Sequence, residues 1–199
     1  MLWVSGRRSI HDSYAVHLMS RDPFSIGGTK WRDSTATACT AWEAGKIIAV
    51  VESLPDVGKG WLKVAYAPEY SLSDFRAVYE HLLELYKRTP EWAAKPEKTR
   101  TRTMQLLQYR IDDLRFRARC FFVDTRREPD FDFVHEYSRP LHPRNYLCHM
   151  IHCDPKNFDA TYGHAWDFWK VATDELDKQY LPPVSAVVER VKEQRRAAC

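Results

Sequence analysis

Phe75, Val78, Tyr79, Leu82, Leu83 and Tyr86 recur at alternating steps of three and one. Residues spaced in this way share one face of a helix, whereas a half-buried strand needs apolar residues at every second position. Ser71, with Asp74 three residues on, has the layout of a capping box in which Asp replaces the usual Glu. Lys87 and Arg88 suit the negative end of a helix dipole, and Pro90 marks an exit. The chain therefore has a helix over 72–87, and the rest of the fold must supply partners for its apolar stripe.

The same reading extends along the chain. Ala38, Trp42, Gly45, Ile48 and Val51 predict a helix from Ser34 to Ser53, capped by Asp33 or Ser34 and closed by Pro55. A short helix follows over Lys59–Tyr66. Leu107, Ile111, Leu114, Ala118 and Phe121, at steps of four and three, predict a long helix from Lys98 to Val123 with a seam for a partner helix. Two helices close the chain. One runs from His164 to Gln179, and the other starts at Pro182-Pro183 and carries Val184, Val187, Val188 and Val191. Gly6, Pro23, Gly27 and Gly28 mark residues 1–33 as a loop-rich N-terminal arm, with room for a short helix near 11–20. Pro129, Pro140, Pro143 and Pro155 break up an irregular segment near 125–163. No run of strand alternation appears. The expected fold is mainly α, an irregular helical bundle forming one compact domain over 1–199.

Composition narrows the class. With 199 residues the chain can bury a core without a metal or disulfides to hold it together. Seven Trp and ten Tyr argue against long-range disorder. The five cysteines, Cys39, Cys120, Cys148, Cys153 and Cys199, form no regular disulfide framework. The opening residues hold no apolar run of signal-peptide length, and Ile47–Val51 is too short to cross a bilayer. Free thiols in a reducing cytoplasm, with no membrane partner, are the expectation. Thirty Lys and Arg against 27 Asp and Glu leave a formal charge of only +3, so the distribution of charge matters more than its total.

That distribution is uneven on the long helix. Lys98, Arg100, Arg102, Arg110, Arg115, Arg117 and Arg119 face only Asp112 and Asp113 as acids. Arginine forks match phosphate oxygens two at a time, so a row of them is a candidate DNA contact. The layout of Lys59–Lys87 resembles a helix-turn-helix, but the exposed side of its second helix carries Asp74, Glu80 and Glu84 and suits a protein partner better than a polyanion. Trp166, Phe168 and Trp169 form a second candidate partner surface, since tryptophan is enriched in binding hot spots.

Cys148, His149, His152 and Cys153 crowd together, with His135, His142 and His164 nearby. Cys148, His152, Cys153 and His164 are residues that zinc favours, but the second ligand pair of a zinc finger is missing. No metal or other cofactor is expected. The sequence has no Gly-rich phosphate loop, GxSxG or HExxH, and Asp112 and Asp113 point about 100° apart on a helix, so they cannot form a facing carboxylate pair. The Asp130–Glu136 stretch holds acids and a histidine without a defined frame. An enzyme is not expected. A metal-dependent enzyme built on the histidine cluster is the second alternative, after a protein–protein adaptor or inhibitor of a host factor.

Two stretches resemble a known family. One is Leu54-Pro55 followed by Trp61-Leu62-Lys63-Val64-Ala65-Tyr66-Ala67-Pro68. The other is Gly163-His164-Ala165-Trp166, then Trp169, Asp174, Leu176-Asp177 and Leu181-Pro182-Pro183-Val184. Together, over 54–123 and 163–191, they resemble phage late-gene antitermination proteins of the Q type and related small helical phage proteins. Some members of that group carry two Cys-x-x-Cys pairs, which this chain lacks. The resemblance implies a transcription regulator that binds DNA, engages RNA polymerase with its sigma factor, and makes the enzyme read through terminators. The basic helix would then hold DNA phosphates or nascent RNA.

Overall fold

The computed structural model describes residues 2–21, 41–120 and 141–198. Among these residues there are eight α-helices and no strand, so the fold is mainly α. The helices are α1 (Leu2–Arg21), α2 (Ala41–Glu52), α3 (Asp56–Tyr66), α4 (Leu72–Lys87), α5 (Pro90–Ala94), α6 (Glu97–Cys120), α7 (Arg144–Met150) and α8 (His164–Ala198). A 3-10 turn at Pro155–Asn157 and a π-helical turn at Asp159–Gly163 lead into α8. None of these helices is long and apolar enough to cross a membrane.

Three expectations are corrected. Residues 2–21 of the expected loop-rich arm are helical throughout, and Gly6 does not break α1 because the helix packs closely there: a Cβ at Gly6 would lie 2.6 Å from the Ser185 hydroxyl. Residues 22–33 lie outside those described, as do 34–40 at the start of the expected second helix. The expected irregular stretch contains α7 and the turns at 155–163, while 121–140 again lie outside. The two closing helices are one, with Pro182 and Pro183 inside α8. A proline inside a helix costs about 3 kcal/mol, because it removes a donor and crowds the preceding turn. Here the stripe Leu181, Val184, Val188 and Val191 is buried on one side, and its burial outweighs the missing backbone bonds. After α4, Thr89 caps α5 by accepting from the Trp92 amide, with Pro90 at the first helical position.

The chain divides into two compact units. The first comprises Met1–Phe75 and Leu176–Cys199. Its core gathers Ile10 and Tyr14 of α1, Ala44, Ile47 and Val51 of α2, and Trp61, Leu62 and Val64 of α3, with Leu181 and Val184 of α8. At the centre lies a buried carboxylate, Asp177. Trp61 Nε1 donates to it at 2.8 Å, Arg7 Nη2 at 2.6 Å, and Tyr66 Oη lies 2.5 and 2.7 Å from its two oxygens. Burial pushes the Asp177 carboxyl above the usual carboxylate range, against the pull of these donors. A second knot joins α1, α2 and α3. Tyr14 donates to Glu52 at 2.8 Å, and Lys63 reaches Glu52 at 3.0 Å and Asp74 at 3.5 Å. Burial raises the carboxyls of Glu52 and Asp74, but their hydrogen-bond donors outweigh it and hold both below the usual range. Asp74 also completes the capping box: its amide donates to Ser71 Oγ at 3.1 Å, and the Ser71 amide donates back to its carboxylate at 3.0 Å.

The second unit runs over Arg76–Glu175. Tyr86 is its aromatic centre, with Trp92, Phe168 and Trp169 around it at ring separations of 6.1, 5.2 and 5.5 Å. Thr103, Leu106, Leu107 and Ile111 give α6 a buried face.

Replacing Asp177 with Ala strands the Trp61, Tyr66 and Arg7 donors around an empty centre. The variant should lose about 3 kcal/mol or more of unfolding free energy in a urea titration followed by circular dichroism; a loss under about 1 kcal/mol would show that the network contributes little.

Candidate nucleic-acid interface

The arginines of α6 do not form one exposed row. The buried face is centred on Leu106, Leu107, Arg110 and Ile111, so Arg110 falls inside it with 3% of its side chain exposed. There Nη1 donates to Asp113 Oδ2 at 3.0 Å, and the guanidinium lies 4.6 Å from the centre of the Trp166 ring. Arg110 is therefore a structural cation, and its assignment to phosphate contact is corrected. Arg100 donates to the Trp92 and Ala93 carbonyls at 3.1 and 2.8 Å and so closes the end of α5. Arg115 is half-buried, beside Asp112. The side chains of Arg117 and Arg119 lie outside the described residues.

A different face of α6 is partly exposed, with Lys98 and Gln105 exposed and Arg102 and Tyr109 half-buried. Lys98, Arg102, Gln105 and Tyr109 follow steps of four, three and four and share one side of the helix. Residues 141–153 run along this side. The Leu141 amide donates to Asp113 at 2.9 Å, His142 and Tyr146 meet Tyr109, and Arg102 Nη2 donates to the His152 carbonyl at 2.5 Å. Pro143 starts α7, and Leu147, Cys148 and Ile151 bury its inner side. Its end is tied by the Cys153 amide, which donates to the Cys148 carbonyl at 2.9 Å across His152. His152 has φ 53°, a left-handed conformation that costs a non-glycine residue of order 1 kcal/mol, and it makes the helix-closing turn beside Arg102.

Neither 98–111 nor 141–153 contains an Asp or Glu. Lys98 and Arg144 are exposed, Arg102 is half-buried, and His142, His149 and His152 lie on the same stretch. Arg144 pairs with Asp159 at 2.5 Å, but both side chains are more than half exposed, so the pair is weak and exchangeable. Asp112, near His142, is half-buried, and burial pushes its carboxyl up; it is the acid that borders this face.

The other candidate sites fare unevenly. Asp74 is 6% exposed and engaged by Ser71 and Lys63, so it is withdrawn as a partner contact. Glu80 and Glu84 remain exposed, Glu84 pairing with Lys87 at 2.6 Å. Trp169 is fully buried against Tyr86 and is core, not surface. Trp166 is half-buried, between Arg110 and Phe158. Cys148 is buried beside Cys153, whose thiol is pushed up by burial and by its contact with Cys148. His164 instead faces Glu91 at 3.4 Å. Among the described residues no three His, Cys, Asp or Glu side chains are arranged to hold a metal ion: of the candidates the sequence offers, Cys148 and Cys153 are neighbours and His164 is turned to Glu91.

Tyr109, His142 and Tyr146 are not singled out by sequence reasoning as a group. Two signals point to them: the four-residue step from His142 to Tyr146 across a proline helix start, and the absence of acids over 141–153.

Arg110→Ala should behave as a core lesion. It leaves Asp113 buried without its ion-pair partner, and the unfolding free energy should fall by roughly 3 kcal/mol; an unchanged melting midpoint combined with weakened nucleic-acid binding would restore the phosphate assignment. No family model, curated protein or solved structure matches the chain.

Proposed function

We propose that the protein is a nucleic-acid-binding regulator of transcription, of the kind the antitermination proteins represent, and that residues 98–109 and 141–153 of the second unit hold the nucleic acid. The observation that carries this reading is the pairing of two acid-free segments bearing Lys98, Arg102, Arg144 and three histidines. A chain with almost as many acids as bases concentrates local positive potential only by such segregation, and positive potential steers a polyanion. Trp61 and Tyr66 of one resembling stretch donate to Asp177 of the other, so the two stretches act as one structural element. Glu80 and Glu84 are the exposed acids left to meet polymerase or sigma.

A second reading is a protein-binding adaptor. It is favoured by Tyr146 and Met150, large side chains exposed four residues apart on α7, and by exposed Leu141 ahead of that helix.

Salt separates the two. Fluorescence anisotropy with labelled single strands and duplexes should show binding that weakens steeply as salt rises. Replacing Lys98, Arg102 and Arg144 with Ala should lower the log–log salt slope by about 0.7 for each single-strand phosphate that is no longer neutralised. Absence of binding even at low salt would overturn the nucleic-acid reading and leave the adaptor.

A further inference from the structure

Resting on the nucleic-acid reading, we propose that Tyr146, backed by His142 and braced by Tyr109, is a stacking platform for one unpaired base of a single-stranded nucleic acid. Tyr146 is 44% exposed, although the helix that carries it is anchored by buried Leu147, Cys148 and Ile151. The ring is therefore exposed on a fixed frame and not at a loose end. One side of it is taken by His142, whose ring is 5.4 Å away and tilted only 16° from parallel. Tyr109 meets both rings edge-on, at 5.2 Å and 79° to His142 and 6.1 Å and 88° to Tyr146. Edge-to-face contacts fix ring orientation, so the stack is set before a ligand arrives and little freedom is given up on binding.

The charge around the stack selects the occupant. Arg144 lies between His142 and Tyr146 in sequence, in a weak exposed pair that a phosphate can replace. Arg102 and Lys98 continue along the neighbouring helix face, and no Asp or Glu lies within 98–111 or 141–153, Asp112 bordering the stack on the His142 side. Aromatic rings interleaved with cations are the arrangement by which proteins hold single strands, because every base offers a π-face while the cations follow the backbone. A paired base inside a duplex keeps its faces stacked on its neighbours and cannot use the platform, so the occupant is a single strand or a loop.

The test uses the full-length protein and a twelve-nucleotide single strand with one 2-aminopurine. The wild type should bind and change the 2-aminopurine fluorescence. Tyr146→Ala, which leaves the buried side of its helix intact, should weaken binding about tenfold and abolish the fluorescence change, whereas Tyr146→Phe should keep both. Unchanged salt-sensitive binding by Tyr146→Ala would overturn the platform while leaving the basic face standing. Binding of duplex in preference to single strand, without a fluorescence change, would also overturn it. No binding of any oligonucleotide by the wild type at low salt would overturn both the platform and the nucleic-acid reading.

Discussion

A carboxylate with almost no access to water is the constraint around which the first unit is organised. Asp177 is stable as a buried group only if its oxygens are satisfied, and the donors that satisfy it come from Arg7, Trp61 and Tyr66. The Arg7 and Asp177 partners are 170 residues apart in sequence, so the buried site forms only when α1, α3 and α8 have come together. The close approach of α3 to α8 at Gly58 follows the same geometry: a Cβ there would meet the Tyr180 ring at 2.6 Å. With the helix fixed on both its polar and its apolar side, the missing backbone bonds at Pro182 and Pro183 are tolerable, and a sequence that reads as two helices folds as one.

The second unit uses a buried charge differently. Arg110 and Asp113 neutralise each other inside the helix packing, and Asp113 also receives the Leu141 amide. That single acid therefore ties the 141–153 segment to α6. Drawing Arg110 inward removes it from the surface, while another side of the same helix, Lys98 to Tyr109, becomes the side on which the histidine- and tyrosine-bearing segment lies. The proposed binding face follows from this division: one side of α6 buries Arg110 and Asp113 as a pair, and the other gathers cations and aromatic rings, with Asp112 at its end beside His142.

How much of this is legible in the sequence depends on whether local spacing alone decides the outcome. The helix over 72–87, its Ser71–Asp74 cap and the long basic helix are readable because periodicity and capping are local properties. The N-terminal helix is not, since its glycine and mixed polar pattern make sense only against Ser185, which lies far along the chain. The inward turn of Arg110 is hidden because a count of charges does not locate the centre of the buried stripe. The Arg110–Asp113 spacing of three already matches a helical ion pair, but spacing does not say that the pair is buried. The burial of Trp169 is hidden for the same reason. The aromatic stack is hidden because Tyr109 and Tyr146 are far apart in sequence, and only the fold makes them neighbours.

The most direct measurement of the central claim is a photo-crosslink between the full-length protein and a single strand carrying 4-thiouridine, with the attached peptides mapped by mass spectrometry. Crosslinks confined to peptides containing residues 98–109 and 141–153 are the result this account predicts. Crosslinks elsewhere on the chain, with these peptides unmodified, would contradict it.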